Sequence, residues 1–125
     1  MGSLPGWAWV AIGGALGSLL RYGVGWILFP VAASFPWGTF TANVTGTFLI
    51  GVFTSLLGGP AHFHPHWRLF LATGICGGFT TLSSLMLETD RIARSGRWMA
   101  AGGYLGSTLF CSALALLAGM ALLRK

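Results

Sequence analysis

Long apolar runs separated by short polar or Pro/Gly-rich stretches organise the whole chain. A helix crossing the hydrocarbon core of a bilayer needs about 20 apolar residues. Four runs have that length: roughly Trp7 to Phe29, stopped by Pro30; Trp37 to Leu57, stopped by Gly58-Gly59-Pro60; Trp67 to Glu88; and Trp98 to Leu123. The pattern predicts an all-α membrane protein, a single domain of four transmembrane helices filling residues 1–125 with short loops. Trp7, Trp9, Trp26, Trp37, Trp67 and Trp98 all fall near the ends of these runs, where an indole sits at headgroup level. Met1 to Val10 carries no basic stretch, so the first run is expected to be retained as a span.

Composition excludes the alternatives. Charged residues are 7% of the 125, hydrophobic types 54%, and the formal net charge is +5. Nine charged side chains cannot cover the surface of a soluble domain this small, and the hydrophobicity is too high for disorder. The basic residues are scattered, so no nucleic-acid partner is expected. Cys76 and Cys111 lie inside spans and read as small packing residues. There is no nucleophile–base constellation, phosphate loop or cysteine metal cluster, so an enzyme is not expected.

Charge leaves the orientation open. With four spans, Arg68, Arg124 and Lys125 share one side, and Arg91, Arg94 and Arg97 the other. A balance of this kind is settled by loop details, or the chain inserts both ways and pairs as an antiparallel homodimer.

Polar residues inside the spans fall on helical stripes. Thr39, Asn43 and Thr47 are spaced by four, as are Tyr104, Thr108 and Ser112. Each stripe runs about 12 Å along its helix. Such residues glue helices together, or they line a path. Hydroxyls and the Asn amide donate hydrogen bonds, and a lane of neutral donors suits a small anion that sheds water. In the third span, residues 73–81 hold three Gly and three Thr. This run predicts either a helix break, whose freed backbone groups serve as ion ligands, or close packing through Gly74 and Gly78. Gly13 with Gly17, and Gly102 with Gly106, read as packing faces. Arg21 snorkels to the interface or lines an aqueous vestibule. Glu88, at the end of the third span, is expected to pair with Arg91. His62, His64 and His66 alternate in the middle loop, as a conceivable metal site or without a role.

Three segments carry a resemblance to the Fluc (CrcB-type) family of fluoride channels: Gly13-Gly14-Ala15-Leu16-Gly17-Ser18-Leu19-Leu20-Arg21-Tyr22, Trp37-Gly38-Thr39-Phe40-Thr41-Ala42-Asn43-Val44-Thr45-Gly46, and Gly74-Ile75-Cys76-Gly77-Gly78-Phe79-Thr80-Thr81. The resemblance covers all four spans. It implies passive fluoride efflux across a bacterial plasma (inner) membrane, through an antiparallel, dual-topology homodimer with two fluoride pores. It also implies a structural Na+ on the dimer axis, held by the backbone carbonyls of Gly77 and Thr80 of each subunit. By the same similarity Asn43 contacts the permeating ion, Tyr104 and Thr108 belong to its polar track, and Arg21 lies near a pore mouth; Thr39 and Ser112 join the expected fluoride pathway through the stripes they share with these residues.

One departure stands out. The family places two phenylalanines, three residues apart, after the Thr-Thr pair, and this chain has Leu82 and Leu85. Leucine keeps bulk and dryness without an electropositive ring edge, and Ser83 and Ser84 are the residues that could compensate by rotation. Competing readings are a small multidrug-resistance-type exporter, which needs an intramembrane carboxylate, a non-conducting membrane subunit, and a paired heterodimeric channel.

Overall fold

A computed structural model describes residues 4–57 and 64–124; Gly58, Gly59, Pro60, His62 and Lys125 lie outside the described residues. All its regular structure is helical: α1 (Gly6–Leu28) with a 3-10 turn (Phe29–Val31), α2 (Trp37–Leu57), α3 (Pro65–Arg68) running into a π-helical segment (Leu69–Cys76) and α4 (Gly77–Phe79), then α5 (Leu82–Arg94) and α6 (Trp98–Ala121). Four stretches are long and apolar enough to cross a membrane: Gly6–Val31, Trp37–Leu57, Pro65–Arg94 and Trp98–Ala121.

The third stretch is longer than the apolar run 67–88. Its polar tail is helical to Arg94 because it ends on strong stop signals. Gly96 takes φ +86°, and its N–H bonds Ala93 O at 3.0 Å while the Arg97 N–H reaches Ile92 O at 3.3 Å. This double closure needs a left-handed residue, which glycine supplies without steric cost. Asp90 and Arg94 pair one turn apart, at 2.7 Å.

The interior is built from small residues and the outside from large apolar ones. Ala42, Cys76 and Ala101 are buried, while Leu19, Trp26, Phe110 and Leu117 are exposed. That inversion suits lipid, where helices gain by close backbone approach rather than by hiding apolar area. α1 packs on the π-helical segment and α4, α2 on α6, and α5 on α6. The closest contacts set glycines against the main chain of a neighbouring helix. A Cβ on Gly17 would meet Ile75 O and lie 2.9 Å from Phe79 N; one on Gly78 would meet Gly14 O. Gly51 and Gly119 do the same between α2 and α6. Thus Gly13, Gly17, Gly74 and Gly78 act as packing glycines. Gly102 and Gly106 differ: a Cβ on either would meet nothing within 4 Å, so they do not form a packing face within the chain.

Between α4 and α5 the backbone is extended at Thr80 (φ −84°, ψ 154°) and Thr81 (φ −153°, ψ 118°). Thr81 then caps α5, its Oγ1 accepting from Ser84 N at 3.2 Å, which satisfies one of the open amides of the first turn.

Candidate functional site

Thr80 and Thr81 leave backbone groups without helical partners, and in hydrocarbon each unpaired group costs several kcal/mol. Asn43, from the middle of α2, answers this. Its Nδ2 donates to Thr81 O at 3.0 Å and its Oδ1 accepts from Thr81 N at 2.7 Å. One amide N–H of Asn43 is left over, since the group carries two.

Beside this pair lies a cavity of about 230 Å³ lined by Asn43, Thr47, Thr80, Thr81, Leu82, Leu85, Thr108, Leu109 and Ser112. It gathers residues from α2, α5 and α6 that the helical stripes marked separately. The donors differ in their availability. Thr47 donates to Asn43 O at 2.6 Å and Thr108 to Tyr104 O at 2.7 Å, so both hydroxyls are spent on their own helices. Ser112 Oγ is buried with no partner among the described residues. Leu85 is 2% exposed and closes the wall; Leu82 is 65% exposed at its edge. Ser83 and Ser84 gather around the Thr81 hydroxyl, at 3.1 and 3.3 Å, and are absent from the cavity lining.

Thr39 and Tyr104 meet elsewhere. Both donate to Glu88: Thr39 Oγ1 to Oε1 at 2.8 Å, Tyr104 OH to Oε2 at 2.5 Å. Glu88 therefore does not take Arg91 as its partner. Its position in mid-α5, between α2 and α6, puts a carboxylate where two hydroxyl donors already wait. Phe35 sets its ring at right angles to Tyr104, with centroids 5.2 Å apart.

Residues 8–120 match the family described as CrcB-like protein, Camphor Resistance (CrcB). The chain belongs to the CrcB family. It is 47% identical over 113 residues to the fluoride-specific ion channel FluC of Acidobacterium capsulatum, an alignment covering 90% of each chain. It is 43% identical over 116 residues to the protein of the same name from Rhizobium johnstonii, covering 92% of this chain and 93% of the relative. A third FluC, from Chlorobium chlorochromatii, is 42% identical over 111 residues, covering 89% and 86%. With its four apolar helices, this CrcB-family chain is a multi-pass membrane protein.

In the CrcB-family chain Arg21 bonds α4: its Nε donates to Gly78 O at 3.2 Å. It lines a second cavity, of about 750 Å³, with Ser18, Tyr22, Trp26, Thr39 and Thr81 among others. Gly77 precedes Gly78 in α4 and Thr80 lines the smaller cavity; the carbonyls of Gly77 and Thr80 have no hydrogen-bond donor among the described residues. Sequence reasoning missed Glu88 as the acceptor for Thr39 and Tyr104, and Thr81 as the partner of Asn43. A signal existed for Glu88: it lies three residues after Leu85, on the same face of α5.

Proposed function

We propose that the chain is a fluoride channel giving passive fluoride efflux, with two copies inserted in opposite senses to form an antiparallel homodimer with two pores. The observation that carries the reading is Ser112: a buried, unpartnered hydroxyl in a cavity that also holds the Asn43 amide. A buried donor without an acceptor is costly, and a permeating anion relieves that cost while replacing water it has shed. Asn43 offers its free N–H to the same ion and holds the Thr81 backbone in place. Leu82 and Leu85 exclude water, which strengthens every donor–anion contact at the site. Arg21 gathers anions electrostatically at the mouth of the larger cavity. Thr39 and Tyr104 extend the lane only in company with Glu88, which holds their protons.

The donor-free carbonyls of Gly77 and Thr80 fit a hard cation, which takes oxygen ligands. Na+ on the dimer axis would bind there and fix the interrupted helices of both copies. The exposed, glycine-rich face of α6 around Gly102 and Gly106 leaves room for a second copy to approach. The exporter reading requires a carboxylate open to a cationic substrate, whereas Glu88 is held by two donors. The test is fluoride efflux from liposomes reconstituted with the chain: release well above that of empty vesicles is expected, and release equal to theirs refutes the channel.

A further inference from the structure

The aromatic cluster at the N-terminal end of the third span plays no part in the proposed anion path. His64 is the N-cap of α3 and His66 lies in its first turn, with Pro65 between them restricting the backbone. The two imidazole centroids are 4.4 Å apart. Trp9 stacks on His66, with centroids 5.5 Å apart and planes 18° from parallel. Trp9, His64, His66 and Trp67 line a cavity of about 190 Å³. Trp9 Nε1 is buried and has no partner among the described residues.

We propose that His64 and His66 chelate one divalent transition-metal ion of tetragonal preference, Cu2+ or Ni2+. An ion bonded ~2.1 Å from a ring nitrogen lies ~3.2 Å from that ring's centroid. Two rings meeting at a right angle on the ion then have centroids ~4.5 Å apart, against ~5.2 Å for a tetrahedral angle. The observed 4.4 Å, with the rings tilted by 40°, is close to the right-angle separation of adjacent positions in a square or octahedral site. Imidazole nitrogen is the ligand such ions favour. Among the described residues His64 and His66 are the imidazoles at this cavity, and water or halide fills positions of the shell that they leave open. Those ligands carry the lone pairs that the buried Trp9 N–H lacks. Stacking on Trp9 holds the His66 ring in place, as outer partners of metal-bound histidines do.

The probe is CuCl2 titrated into the full-length chain in detergent. Tryptophan fluorescence follows binding and electron paramagnetic resonance counts the nitrogen ligands. One Cu2+ per chain with two imidazole nitrogens is expected. H64Q, at an exposed cap position, keeps the fold; it should weaken binding at least tenfold and remove one nitrogen from the spectrum, and H66Q should do the same. Affinities within twofold of wild type in both variants, loss in one with the other unchanged, or bound Cu2+ without imidazole nitrogens would each overturn the site.

Discussion

Asn43 and Thr81 are joined by two hydrogen bonds, at 3.0 and 2.7 Å, that give an extended residue in mid-span the backbone pairing its own helices cannot supply. The side chain of α2 thus stands in for a missing turn. An amide is the one short side chain that both donates and accepts in this way.

Asn43→Ala therefore strips Thr81 of both partners. The expected cost is about 1–3 kcal/mol for each group left unsatisfied, together with a strong loss of fluoride flux. Asn43→Asp keeps the acceptor for Thr81 N but cannot donate to Thr81 O. It should recover part of the stability and none of the flux, since its charge repels the anion. Thermal unfolding in detergent beside liposome flux measures both.

The Glu88 cluster couples three helices. Thr39→Val and Tyr104→Phe each remove a donor and should destabilise the chain by about 1 kcal/mol. Because they share one carboxylate, a double-mutant cycle should show non-additivity of about 0.5 kcal/mol or more. Strictly additive losses would mean that the two hydroxyls do not act through Glu88.

Packing between α1 and α4 leaves no room for a methyl group at Gly17, where a Cβ would meet main-chain atoms of Ile75 and Phe79. Gly17→Ala should destabilise by about 1–3 kcal/mol as the helices are forced apart. Gly23, with nothing within 4 Å of its Cβ position, should accept Ala and gain up to about 1 kcal/mol of helix propensity. Unfolding midpoints of the two variants should move in opposite directions.

The four apolar helices were legible because length and hydropathy alone decide them. The close contact of Gly13 and Gly17 with the third span was legible as a small-residue pattern, and the structure supplies the partners: Gly74 against Gly13, and the main chain of Ile75 and Phe79 against Gly17. What the stripes could not reveal is which hydroxyls are free. Thr47 and Thr108 bond backward along their own helices, a choice of rotamer rather than of spacing. Glu88 looked terminal because apolar residues stop there, while the helix runs on to the turn at Gly96. Its partners come from α2 and α6, at sequence separations of 49 and 16, which no local pattern encodes.

Ser112 tests the central claim most directly, because its hydroxyl has no partner among the described residues to lose. Fluoride efflux from liposomes should be compared for the wild type and Ser112→Ala, with chloride efflux run alongside and unfolding temperatures measured. The account predicts rapid, fluoride-selective release by the wild type, and release at least tenfold slower from the variant at equal or higher stability. Equal fluoride rates in the two proteins, or wild-type release no faster than that of empty vesicles, would contradict it.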